Sequence, residues 1–350
     1  MSAGSPAVEK RKKNPLSDGQ DTLAAILISP TMLVILLVVG IPIFMSIRES
    51  FFKKLDGIDP NTGQVMSGEK FVGLQNFTDI FANPQKVSAV WGSMDRLINA
   101  FLNTTFFTVV CVSIETVLGV AMAIIMAKAF KGRGLVRAAI LVPWAIPTIV
   151  SAKMWGLVFD SQGIMNKLLG ADPANPPLWL GDSWLSQWAI IISDVWKTAP
   201  FIGLLTLAGL QTIPAEVYEA AKVDGASAWQ QFTRITLPMV KPALVVAVLF
   251  RTLDTMRMFD LPMGMIGKGK YSVETISMFA YNENLESRFG PAAAYSILLF
   301  LYIVLVAFLF VKFLGADVVG DEELKAISEK KKRQKRLAKA ATITSGEAAA

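Results

Sequence analysis

A chain of 350 residues with 53% hydrophobic and only 18% charged side chains is too apolar for an ordinary soluble domain of its length. It has no histidine and one cysteine, Cys111, which excludes a Ser-His-Asp triad, a His-ligated zinc site and any intrachain disulfide. The net charge of +6 gathers largely in two terminal runs, Lys10–Lys13 (KRKK) and 330–336 (KKKRQKR); beside membrane spans these read as ends facing anionic lipid, not as nucleic-acid contacts.

Crossing a bilayer takes about 20 apolar residues in a helix. Six runs qualify, so the expected fold class is an all-α polytopic membrane protein with six transmembrane helices. The first covers 23–47, with its early half broken by Pro30. It follows a basic segment, as a signal peptide would, but it is too long for one and no small-residue cleavage site follows, so it reads as a retained helix. The others cover 100–127, 135–159, 188–210, 242–259 and 292–314. Pro and Gly inside several of them are tolerable because neighbouring helices re-satisfy the freed backbone groups.

Basic residues set the expected orientation. Lys128, Lys131, Arg133 and Arg137 crowd the second connection, whereas 160–187 holds Lys167 against Asp160, Asp172 and Asp182. The positive-inside rule then puts both termini on the cytoplasmic side, in agreement with an even span count. The resulting partition is a basic N-terminal segment (1–21), a membrane domain (22–315) and a charged cytoplasmic tail (316–350). Within the membrane domain, the outward loop 48–98 carries turn residues (Asp59-Pro60-Asn61, Gly63, Gly68) suited to a small folded patch, and 211–241 is cytoplasmic.

That last segment interrupts the hydrophobicity with EAAKVDGASAWQQFTRITLP, residues 219–238. Pro214 suits a helix's first turn, and Glu216 and Glu219 lie near its positive end. Val217, Ala220, Ala221 and Asp224 share helical spacing, the two alanines giving a small, close-packing face. Gly225 can take the left-handed conformation that ends a helix. Ser227 with Gln230 reads as a capping box opening a second helix, along which Trp229, Phe232 and Ile235 recur until Pro238 stops it. By physics alone this is an amphipathic hairpin lying along the membrane surface.

The spacing is more specific than that. Glu219-Ala220-Ala221, Gly225, Ile235, Leu237 and Pro238 reproduce the EAA-xxx-G-x9-I-x-LP signature of ABC importer permeases. Leu141-Val-Pro143-Trp-Ala-Ile-Pro147, Trp196-Lys-Thr-Ala-Pro200, Leu207-Ala-Gly-Leu210, Val223-Asp-Gly-Ala-Ser-Ala-Trp229 and Leu249-Phe-Arg-Thr-Leu-Asp254 resemble the MalF-like carbohydrate branch, in texture closest to actinobacterial trehalose/maltose-type permeases, over roughly residues 20–315. The resemblance implies the type I importer permease fold. It makes 219–238 a coupling helix for an ATP-binding subunit, with Glu219 as a charged contact, Ala220 and Ala221 as the close fit and Gly225 as the turn. It also implies a second homologous permease, two cytosolic ATP-binding subunits and an extracytoplasmic sugar-binding protein or lipoprotein. ATP and Mg would be bound by the partner and no cofactor or metal by this chain, which has no Walker loop: Gly267-Lys-Gly-Lys270 lacks the spacing. The chain departs from the enteric maltose permease in having six spans rather than eight and no large domain in the first outward loop.

Ionisable residues within spans are functional candidates by default. Arg251 and Asp254 stand one turn apart in the fifth span and can neutralise each other; Asp194 and Lys197 form a similar pair in the fourth, around Trp196. Asp194, Trp196, Arg251 and Asp254 are therefore candidate lining of a polar path, or else an ion pair that holds helices or meets the partner permease. Tyr281 and Asn282 are weaker candidates. Glu115 reads as structural, on a stripe with Gly119, Ala123 and Ala127 suited to helix packing. Lys153 reads as a snorkelling or paired cation. The alternative to an ABC permease is a stand-alone secondary transporter or channel built on these charges.

Overall fold

In the computed structural model, which describes residues 18–55, 57–58, 65–82 and 84–315, two aspartates open the two helices at the centre of the bundle. Asp95 accepts from the Leu97 amide and caps α4 (Arg96–Ala127); Asp182 accepts from Trp184 and Leu185 and caps α8 (Ser183–Leu210). The Leu185 amide above all holds the exposed Asp182 carboxyl below the usual carboxylate range. α4 and α8 form the most extensive helix pair. They approach closely because Gly119 has no side chain: a Cβ there would lie 2.8 Å from Ile202. Ala123, Met126 and Leu207 continue the contact toward the C-terminal ends, so the two helices end together. Of the expected small-residue stripe, Gly119 and Ala123 are buried and Ala127 is exposed.

The first span is α1 (Asp18–Ile35), a π-helical turn and α2 (Ile41–Ser50). Pro30 does not break it, contrary to expectation; the irregularity falls instead at the π turn, Leu36–Gly40. Residues 52–95 hold three short antiparallel pairs, β1 (Phe52–Lys54) with β4 (Glu69–Phe71), β2 (Gly57–Ile58) with β3 (Val65–Met66), and β5 (Lys86–Ala89) with β6 (Gly92–Asp95), together with α3 (Gln75–Ala82). The expected turn at Asp59-Pro60-Asn61 and Gly63, and both basic tails, lie outside the described residues.

The third run is not one straight helix. α5 (Arg133–Ala145) and α6 (Thr148–Val158) meet at 94°. Pro147 accounts for the break: it removes a donor and drives Ile146 into an extended conformation (ψ 133°). Among the described residues, five helices are long and apolar enough to cross a membrane, or up to six if this bent pair is one span. After the short α7 (Ile164–Leu168) and α8, the segment α9 (Ala215–Val223) and α10 (Ala228–Gln231) leads into α11 (Leu237–Met256). Pro238 does not stop the helix there, contrary to expectation. A π-helical turn over Phe232–Thr236 absorbs the proline's missing donor, and the rod runs from Ala228 to Met256.

α12 (Asp260–Met265) packs on α6, and α13 (Ile276–Leu285) on α14 (Phe289–Phe310). Between them, residues 270–276 are pinned to the bundle end where α4 and α8 begin. Arg96 makes a two-pronged pair with Glu274 (2.8 and 2.7 Å), Asn99 and Asn103 donate to the Tyr271 carbonyl, and Gln187 donates to that of Ser272.

Candidate functional site

Arg251 is the centre of the charged site. Its guanidinium is 3% exposed and meets three carboxylates from three helices. Nε and Nη2 grip Glu115 of α4 at 2.6 and 3.1 Å, Nη2 also donates to Asp194 of α8, and Nη1 donates to Asp254 on its own helix at 2.8 Å. The Thr198 hydroxyl donates to Glu115 at 2.6 Å. The expected Arg251–Asp254 pair is present, but the larger partners are on other helices. Glu115, expected only to sit on a packing stripe, is a fully buried member of the cluster. Chain spacing pairs residues on one helix and is blind to a carboxylate that stands 136 positions away. Cys111, Glu115 and Asp194 bring three ligand atoms within 4.8 Å of one another, but the place between the two carboxylates is filled by the guanidinium.

The expected Asp194–Lys197 pair is not formed in this way. Lys197 Nζ donates instead to the carbonyls of Ile146 (2.6 Å) and Trp144 (3.3 Å), the C-terminal end of α5 at the break. Those carbonyls end α5 where the chain turns away, Val150 N donating to Pro147 O and not to Ile146 O, and a cation at a helix C-terminus also meets the negative end of its dipole. We expect Lys197→Met to lower stability by about 1–3 kcal/mol, since two acceptors lose their donor. Earlier heat unfolding of the detergent-solubilised protein would register this, with Lys197→Arg recovering most of the loss.

A cavity of about 450 Å³ opens beside this cluster, lined by Asp194, Lys197, Arg251, Asp254, Arg257 and Asp260, with the Trp144 and Phe259 rings. Such a surface offers carboxylates and ammonium for hydroxyl groups and aromatic faces for sugar rings. Three of the four principal candidates line it. Trp196 does not: it faces an apolar groove with Trp188, Val195 and Pro200, and its ring stands edge-on to Trp155. Tyr281 lines a different groove, between α2 and α14, but its ring lies edge-on to Phe259, which borders both spaces. Asn282 is buried and donates to Glu274 in the pinned 270–276 network, outside the cavity lining. Lys153 is exposed on α6 with no ion pair among the described residues.

The second site is the hairpin between α8 and α11. Pro214 caps α9, and Gly225 stands at φ +75°, a conformation glycine adopts without penalty. The Gly225 amide donates to Lys222 O and the Ala226 amide to Ala221 O, the paired bonds of a Schellman cap. Ser227 and Gln230 then form the expected capping box in both directions. The two alanines do not share one face: Ala221 is buried and Ala220 exposed. Glu219 points to solvent, Ile235 is half-buried, and Leu237 and Pro238 are exposed. Val223 is 89% and Trp229 71% exposed, so two large apolar side chains project from a segment whose backbone is fully specified. The basic connection 128–137 lies at this end, where Arg137 donates to the Met126 carbonyl that closes α4.

Apolar bundle helices around an ion-lined cavity define a multi-pass membrane protein of the transporter kind. Residues 115–319 match the family described as binding-protein-dependent transport system inner membrane component, and the chain belongs to that family. The trehalose/maltose transport system permease protein MalF of Thermococcus litoralis is 37% identical over 292 residues, 83% of this chain and 92% of that protein. The trehalose transport system permease protein SugA of Mycobacterium tuberculosis is 36% identical over 303 residues, 86% and 91% of the two chains. Among solved structures, a bacterial ABC transporter involved in import of the acidic polysaccharide alginate shares the fold. It has a TM-score of 0.68 at 22% identity and covers 88% of this chain and 98% of its own. The resemblance read from the hairpin signature is therefore borne out at the level of the family.

Proposed function

We propose that this chain is a permease subunit of an ATP-driven importer that carries a disaccharide of the trehalose or maltose class across the bacterial cytoplasmic membrane. The observation that carries this reading is the hairpin. Its Schellman cap and capping box hold an EAA-type signature in a fixed shape while Val223 and Trp229 stand out in solvent. Exposed apolar side chains on a rigid polar segment fit a protein partner. The names of the relatives support a sugar as cargo, and the cavity beside Arg251 has a lining suited to one.

In this reading the bent third run counts as one span, giving six, and the end with the hairpin and the 128–137 cations is cytoplasmic, with both termini on that side. Glu219, Ala220, Ala221, Gly225, Ile235, Leu237 and Pro238 form the docking element for one of two cytosolic ATP-binding subunits, which hold ATP and Mg. A second permease completes the path, and an extracytoplasmic sugar-binding protein delivers the cargo. Asp194, Arg251 and Asp254 belong to the path in this subunit; Asp254, the most exposed of the three, is the one best placed to meet the sugar. Closure of the ATP-binding pair rocks the bundles through the hairpins and opens the cavity outward, and hydrolysis resets it. Purification through a tag on this chain tests the reading. An ATP-binding subunit retained in mild detergent is the expected result; its absence, with substrate uptake intact, would favour a stand-alone transporter.

A further inference from the structure

The segment between α6 and α8 carries an apolar surface outside the helices that cross the membrane. Ile164 and Leu168 lie one turn apart on α7 and are 55% and 76% exposed; Leu169 and Leu178 beside them are also exposed. These side chains are not the loose tip of a loop. Asn166, buried beneath them, donates to the carbonyls of Ser161 (2.9 Å) and Pro177 (3.0 Å) and accepts from Trp179 Nε1 (2.9 Å). The Trp179 ring packs on Phe159, and Phe159 on Trp155, which ties the segment to the end of α6. A fully bonded asparagine and an aromatic column thus present three leucines and an isoleucine away from the protein. Leu157, Val150 and Ile149 of α6 are exposed as well, with Lys153 exposed between Val150 and Leu157, and so is Trp184 at the start of α8.

We propose that the α7 segment lies in the bilayer interface, with Ile164, Leu168, Leu169 and Leu178 inserted at the boundary of headgroups and acyl chains. With Lys153 among them as a cation able to reach the headgroups, the exposed aliphatic side chains of the adjoining α6 argue for lipid as the occupant. So does the residue pattern: tryptophans at the ends of spans sit at headgroup depth, and Lys167, between Ile164 and Leu168, can reach a phosphate while its stem stays among the aliphatic groups. A soluble partner would be expected to meet a mixed surface with polar groups at its rim. The segment is then a fixed float at the end of α6 away from the 94° break, holding that end at constant depth. The inference rests only on the chain being a multi-pass membrane protein, so it stands or falls independently of the cargo.

The test is a nitroxide on Leu168→Cys and, separately, on Leu169→Cys, in the full chain with its co-purified subunits in phosphatidylcholine–phosphatidylglycerol nanodiscs. Native Cys111 is fully buried, and Asp172→Cys on the same segment is the aqueous control. Collision with molecular oxygen relative to a water-soluble nickel chelate should be well above the ratio at Asp172, as for a site among acyl chains. A ratio equal to the control would overturn the proposal. Exclusion of both relaxants would also overturn it, since that result marks a surface covered by protein.

Discussion

Replacing Arg251 by methionine is expected to cost about 3–5 kcal/mol and to remove most folded, assembled protein from the membrane. The guanidinium is the only cation that pairs with the buried carboxylates of Glu115 and Asp194 among the described residues, and Glu115 is fully buried. Without it, two like charges remain within hydrogen-bonding reach of where one cation had been, Glu115 fully buried and Asp194 nearly so. Stability is expected to return in large part when the carboxylates are neutralised with it, as in Arg251→Met/Glu115→Gln/Asp194→Asn. A buried ion cluster is often replaceable by neutral groups of similar shape, even where removing one member is ruinous. Heat unfolding and limited proteolysis of the single and triple variants would separate these cases. If the single variant is as stable as the parent, the cluster does not hold α4, α8 and α11 together.

The second large effect is expected at Gly225. Valine there must adopt φ +75°, which a β-branched residue resists, at a local cost of about 1–2 kcal/mol. The global fold should survive, because the hairpin lies outside the helix core and no atom beyond the adjoining residues lies within 4 Å of the added Cβ. What changes is the angle between α9 and α10, and with it the relative positions of Glu219, Val223 and Trp229. Transport-linked ATP hydrolysis and uptake should fall at least tenfold while expression and unfolding temperature stay near the parent's. Gly225→Asn, which tolerates the left-handed region, should keep much of the activity. Normal uptake in the valine variant would sink the docking role of the hairpin.

These two sites show what the sequence can carry. The hairpin was legible almost bond by bond, since proline, glycine and Ser-x-x-Gln signals act over three or four residues and the chain there obeys them. Two features misled: Ala220 and Ala221 fall on different faces, and Pro238 reads as a stop, but a π turn one step earlier removes the need for its amide. The spans were legible as apolar runs, yet Pro30 and Pro147 look alike in sequence and act differently. A helix passes through Pro30, while Pro147 is preceded by an extended Ile146 whose neighbouring carbonyls find a cation in Lys197. The ion cluster was half-legible. Arg251, Asp194 and Asp254 stand out as charges at membrane depth, but their partner Glu115 was hidden on a helix whose small-residue stripe gave it another explanation. Trp196, Tyr281 and Asn282 lie outside the lining of the cavity beside Arg251, which their sequence positions do not reveal. Which face a side chain takes in a bundle depends on packing across helices, and span residues without a strong amphipathic period do not announce it.

The central claim, that energy enters at the hairpin and moves sugar through a cavity in this subunit, is tested most directly in proteoliposomes. The chain would be reconstituted with its co-purified subunits and a sugar-binding protein, and the uptake of labelled trehalose and maltose measured with ATP on the hairpin side. Accumulation that requires ATP and is lost in Gly225→Val is the predicted result. Uptake of equal rate without nucleotide, unchanged in that variant, would contradict it.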